Sequence, residues 1–130
     1  MYWQNRQEVG WDQVSKYLKD AAVAGEDRRF YQHRGVDLQG VIRAALGNAV
    51  SGGVQSGAST LTMQVIKNVY VQRAEALPTE EERTKAYNEA TATSFQRKFK
   101  EMKLALGLEK RYTKDQILLA YLNISNFGGN

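Results

Sequence analysis

Carboxylates are the proton-transfer groups this sequence offers most readily: its 130 residues hold one His and no Cys against 14 Asp and Glu. Glu26 and Asp27 follow a helix terminator at Gly25, in a connector carrying Arg28, Arg29, His33 and Arg34 with Phe30 and Tyr31 between the charges. A carboxylate there that faces a cleft would serve as general acid or base, with the aromatics packing its backbone in place, although a solvated turn accounts for the same pattern. Glu101 is the second candidate. On a helix it shares a side with Leu104, Ala105 and Leu108, which would partly desolvate it, and it has Arg97 at i−4 and Lys98 at i−3 as partners. Two cations beside one acid fit the wall of a phosphate-handling cleft, and equally an ordinary surface ion pair. The third feature is Gly57-Ala58-Ser59-Thr60-Leu61-Thr62-Met63-Gln64, which brings hydroxyls and free backbone N–H groups to a helix start, where an anion is favoured. Lys67 shares the face of Thr60 and Gln64. Plain capping by Ser59 explains the run as well, and with no Gly-Lys-Ser/Thr after the glycines it is not a Walker loop.

The elements that must hold these groups are helical. Val14, Tyr17, Leu18, Ala21 and Ala22 recur at helical spacing, with Asp12 as cap and Gly25 as stop, predicting a helix from about Asp12 to Ala24. Asp37 precedes Leu38, Val41, Ile42, Ala45 and Ala49, a second stripe that ends at Ser51-Gly52-Gly53. Ser59 is placed to cap a third helix carrying Val65, Ile66 and Val69. Gln72 to Asn88 holds the single Pro and a capping-box spacing from Thr79 to Glu82, and reads as a solvated insertion with a short helix. A long helix from Thr93 to Arg111 follows, with Phe95, Phe99, Met102 and Leu106 on one face and Leu104, Ala105 and Leu108 on the other, which predicts burial on two sides. Thr113 and Gln116 box the start of a last helix running to about Leu122. No strand alternation competes, so the class is mainly α.

Composition narrows the function classes. Hydrophobic residues make up 42% of one modest chain, which excludes collagenous and wholly disordered sequences. The lack of Cys removes disulfides, thiolate zinc sites and cysteine nucleophiles. The net charge is +4, yet seven Lys and Arg stand against Glu101 and Glu109 between Arg97 and Lys114, so an anionic partner is expected there. The apolar runs are far too short to cross a bilayer, and the polar start Met1-Tyr2-Trp3-Gln4-Asn5-Arg6 lacks a signal-peptide profile.

Four blocks, in order, resemble the peptidoglycan glycosyltransferase domain of class A penicillin-binding proteins and monofunctional transglycosylases, glycosyltransferase family 51. Glu26 through Asp37 with Arg43-Ala44 is similar to its first motif, and Gly57 through Gln64 with Lys67-Asn68 to its second. Arg97-Lys98-Phe99-Lys100-Glu101 resembles the third motif and Lys114 through Asn123 the fourth. The resemblance implies a lysozyme-like helical domain over residues 1–130, with a motif core from about residue 11 and an insertion over about 72–92. It also implies polymerisation of lipid II into glycan strands with release of undecaprenyl diphosphate. Glu26 would be the general base and Glu101 a second essential acid on the donor side. Asp27, Ser59, Thr60, Gln64, Lys67, Arg97 and Lys98 would bind substrate, and His33, Asp37 and Tyr121 would be scaffold. No cofactor is required; Mg2+ or Mn2+ would assist by the same electrostatic logic, with Glu101 as the candidate ligand.

The expected partners are lipid II, the growing glycan strand and a membrane surface, with no nucleic acid. The expected location of the parent protein is the extracytoplasmic face of the cell membrane. Met63-Gln64 stands where the family usually has Gln-Gln, Ala58 where it has Gly, and Thr93 in the register of a frequent arginine, for which Arg73 or Arg83 would substitute. The family continues into further helices and, in class A members, a transpeptidase domain. The chain is therefore expected to be truncated on its C-terminal side, with apolar surface uncovered near Ile117, Leu118 and Tyr121. Three rivals stand beside this reading: a glycan-cleaving enzyme of lysozyme or lytic-transglycosylase type, a basic nucleic-acid-binding module, and a catalytically silent fragment.

Overall fold

The computed structural model describes residues 8–51 and 59–127. Among them there are six α-helices and no strand: α1 (Lys16–Glu26), α2 (Leu38–Ser51), α3 (Leu61–Glu75), α4 (Glu80–Thr91), α5 (Phe95–Arg111) and α6 (Lys114–Leu122). The mainly α class holds. A short 3-10 turn, Trp11–Gln13, precedes α1 and a π-type turn, Asn123–Phe127, follows α6.

Helix α3 is the central element and packs against α4, α5 and α6. Its buried face splits the core. Leu61 and Val65 meet Val14, Phe30 and, from α6, Ile117, Leu118, Tyr121 and Leu122. Met63 and Ile66 meet Ala105 of α5. Ile117, Leu118 and Tyr121 are thus themselves core residues, at 2%, 0% and 8% exposure, and the apolar surface left open near them is a cavity lined by Val65, Val69, Ile117, Leu119, Ala120 and Ile124.

More uncovered apolar surface lies elsewhere. On α5, Phe95 and Phe99 are 84% and 67% exposed, so this helix is buried on one side only, through Glu101, Ala105 and in part Leu108. The stripe was apolar at helical spacing, but only Met102 of it packs against the Met63, Ile66 and Ala105 cluster, and Phe95, Phe99 and Leu106 stay exposed. Leu38, Ile42 and Leu46 likewise leave one side of α2 exposed.

Two cap positions differ from expectation. Ser15, not Asp12, starts α1, its Oγ accepting the Leu18 N–H at 3.1 Å, and the helix runs through Gly25 to Glu26. Thr60, not Ser59, caps α3 by accepting the Met63 N–H at 3.2 Å. Each hydroxyl satisfies an N–H with no partner inside the helix, from a residue whose backbone is extended at the junction. The capping box of Thr113 and Gln116 forms as read; at Thr79 only the cap forms, its Oγ1 accepting the Glu82 N–H, while the Glu82 carboxylate accepts the Thr79 hydroxyl in place of a backbone N–H. Residues 72–75 belong to α3, and the short helix expected over residues 72–88 is α4. Gly57 and Ala58, like the Gly52-Gly53 breaker, lie outside the described residues.

Candidate active site

The connector from α1 to α2 is no solvated turn. Phe30 is fully buried, and Asp27 and His33 are 9% exposed. Asp27 Oδ2 sits 2.6 Å from His33 Nε2 and accepts the Leu61 N–H at 2.9 Å, tying the end of α1 to the first turn of α3. The Gly35 N–H donates to His33 Nδ1 at 3.0 Å, which fixes the tautomer with the ring proton on Nε2, toward Asp27. Gly35 has φ 108°, and a Cβ there would come within 2.7 Å of the Ala105 carbonyl oxygen, so only glycine lets the connector close onto α5. Its own carbonyl accepts the Thr60 hydroxyl at 2.7 Å.

Beneath these residues lies an ion pair that sequence reasoning did not single out. Lys114 Nζ is 2.8 Å from Glu109, which also accepts the Thr62 hydroxyl at 2.7 Å. The same ammonium lies 3.4 Å from His33 Nδ1 and 4.5 Å from the centre of the Phe30 ring. Connector, α3, α5 and α6 are thereby joined through groups buried together, each with a partner, as burial of charge demands. Glu109 and Lys114 are five residues apart and span a helix junction, so no single-helix spacing could pair them.

Glu26, the last residue of α1, is exposed and opens into a cavity of about 320 Å³ that Asp27, Arg28, Arg43, Ser59 and Thr60 also line. Burial and, after it, the neighbouring Glu26 carboxylate push the Tyr121 phenol up; a contact from Ser125 opposes this. Across the cavity, Arg29 is fixed by Asp37, which accepts from Arg29 Nε at 3.1 Å and Nη2 at 2.7 Å and from the Gly40 N–H at 3.1 Å. Burial would raise the Asp37 carboxyl, but the Arg29 and Gly40 hydrogen bonds hold it below its ordinary value.

Ser59, released from capping, turns to α5, where its Oγ accepts a hydrogen bond from Lys98 Nζ. Arg97 donates through Nε to the Ala92 carbonyl and through Nη1 to Glu101, which is 5% exposed. Burial pushes the Lys98 ammonium down; the Glu101 charge counteracts this, and the Arg97 and Lys67 charges add to it. Arg97, Lys98 and Glu101 thus stand together on α5, with Lys67 of α3 near enough for its charge to act on Lys98. Gln64 stands half-buried one turn before Lys67 on α3. Of the expected site residues, Glu26, Asp27, Ser59 and Thr60 line one cavity and the other charged residues gather behind Ser59. The Asp27 and Thr60 side chains make their hydrogen bonds to the scaffold. Among the described residues no three His, Asp or Glu side chains come together as a metal site, and Glu101 is paired with Arg97.

All 130 residues match the family model described as Transglycosylase. The chain belongs to the transglycosylase family. Curated relatives are penicillin-binding proteins: the protein 1A of Neisseria flavescens is 45% identical over 120 residues, 92% of this chain and 13% of the relative. The protein 1A of Neisseria gonorrhoeae is 46% identical over 106 residues, covering 82% and 11%. Penicillin-binding protein 1F of Bacillus subtilis (strain 168) is 34% identical over 128 residues, covering 98% and 15%. The chain therefore spans only about an eighth of the length of the relatives it matches.

Proposed function

We propose that this transglycosylase chain is a peptidoglycan glycosyltransferase that polymerises lipid II into glycan strands and releases undecaprenyl diphosphate. The observation that carries this reading is the joint at Ser59: it lines the Glu26 cavity and accepts a hydrogen bond from Lys98, on which the Arg97 and Lys67 charges also act. A carboxylate beside a preassembled anion site is what transfer from a diphosphate donor needs.

In this reaction the acceptor sugar hydroxyl oxygen attacks the donor anomeric carbon. Its proton passes to Glu26, the bond from that carbon to the diphosphate breaks, and the diphosphate leaves with the electron pair. A sugar alcohol is a poor nucleophile until its proton is removed, so an exposed carboxylate at the cavity, held beside the Tyr121 phenol, suits the role. Charge accumulates on the leaving oxygens, and cations fixed in advance by Glu101, Ser59 and Ala92 lower that barrier without reorganising. Glu101 thus acts on the donor side by holding Arg97 and balancing Lys98, while Asp27 and Thr60 hold the Glu26 end of the cavity in register. Gln64 would add an amide to the same donor wall.

No helix among the described residues is long and apolar enough to cross a membrane. The exposed Leu38, Ile42 and Leu46 face of α2 suits apposition to the surface of the bilayer that holds a lipid-linked substrate, which supports a membrane-associated parent protein, in this proposal one working at the extracytoplasmic face. Incubation with lipid II and, separately, with mature peptidoglycan tests the reaction class. The proposal expects glycan strands from the first and nothing from the second; soluble fragments from peptidoglycan, with lipid II untouched, would assign cleavage instead.

A further inference from the structure

A second cavity, of about 510 Å³, opens between α3, α4 and α5, within the size range of small-ligand pockets. Its exposed lining area is mostly apolar, from Tyr70, Ala74 and Leu77 on the α3 side and Ala86 and Ala90 of α4, whose small side chains leave space, while Glu89 of α4 adds an acid to the charged residues around it. None of the α4 residues is fully buried, so this helix roofs the space without filling it. At the rim, Lys100 Nζ lies 5.0 Å and the Arg73 guanidinium carbon 5.8 Å from the centre of the Tyr70 ring. The inner wall is Arg97 and Glu101, the same pair that stands with Lys98 on α5. Arg83, by contrast, is spent on the Leu77 and Pro78 carbonyls.

A diphosphate between a sugar and a lipid has two ends. The Arg97, Lys98 and Glu101 group has the Glu26 cavity on its Ser59 side and this second cavity on its Arg97 side, so with the sugar directed toward Glu26 the lipid end faces the α4 cavity. An apolar interior behind a cationic rim is complementary to an apolar chain on an anionic head. We propose that this cavity receives the first isoprenoid units of the donor lipid, with α4 as the wall that shapes it. The inference rests on the glycosyltransferase reading and adds the place of the lipid to it.

The test is binding of two probes to the 130-residue chain, inorganic pyrophosphate and farnesyl diphosphate, measured by calorimetry on the wild type and on Ala90→Trp. In the wild type farnesyl diphosphate should bind at least about tenfold more tightly than pyrophosphate, since burying each methylene of the chain adds to affinity. Ala90→Trp should erase that advantage and leave pyrophosphate within about twofold of wild type. Ala86→Leu, a smaller intrusion, gives the same reading by a partial loss if the tryptophan variant does not fold. Equal binding of the two probes by the wild type, or an advantage that survives both substitutions, overturns the proposal. Failure of pyrophosphate alone to bind would count against the diphosphate reading, while an Ala90-sensitive farnesyl contribution would still uphold the cavity; binding of neither probe overturns both.

Discussion

Lys98 shows how a candidate site residue would trade stability for function. Burial and the nearby Lys67 and Arg97 charges lower its pKa against the pull of Glu101, so between that lowered value and the ordinary 10.5 the unfolded chain binds the proton more strongly. Stability should therefore rise with pH across this window, while anion binding falls as the ammonium is lost. We expect an alkaline limb in kcat/KM for lipid II that sets in below the pH at which a free lysine titrates, and Lys98→Arg should move it upward because the guanidinium stays charged. An unchanged limb in the arginine variant would remove Lys98 from the donor site. Arg97 and Glu101 are nearly buried together, and Arg97→Met would strand a carboxylate; we expect a loss of about 3–5 kcal/mol in unfolding free energy, read by denaturant titration. Glu101→Gln should cost far less stability and still reduce turnover severely.

At the scale of elements, the connector is where local pattern and tertiary structure diverge most. The two helices around it, the capping box of α6 and the class were readable because spacing and caps are local quantities. The Asp27, His33 and Leu61 arrangement was not, since it joins residues up to 34 positions apart. Nor could pattern choose between Ser59 and Thr60 as cap of α3, yet that choice sends the serine to Lys98 and so builds the candidate site. The burial of Glu101 was legible on its helix face; the exposure of Phe95 and Phe99 on the opposite face was not, because periodicity reports an apolar stripe and not what covers it. Gly35 gives the sharpest check. Gly35→Ala places a methyl against the Ala105 carbonyl at a left-handed φ, and thermal or denaturant unfolding should show a loss of about 2 kcal/mol or more. A loss below half of that would mean the connector does not close onto α5 as described.

For the molecule as a whole, the apolar surface is asymmetric: the α5 stripe and the exposed face of α2 stand out from a chain otherwise rich in charge. Patches of this kind drive association in water. Phe95→Ser combined with Phe99→Ser should raise solubility and lower self-association by light scattering, with unfolding free energy within about 0.5 kcal/mol of wild type. A large destabilisation would show that these rings are covered.

The central claim is that Glu26 takes the proton while the Ser59-linked cations hold the donor. Its most direct test is single-turnover formation of the new glycosidic bond from lipid II by Glu26→Gln, with lipid II binding and thermal unfolding followed on the same preparation. The account predicts near-complete loss of bond formation, at least about 100-fold, with fold and binding retained. Bond formation at the wild-type rate by the glutamine variant would contradict it.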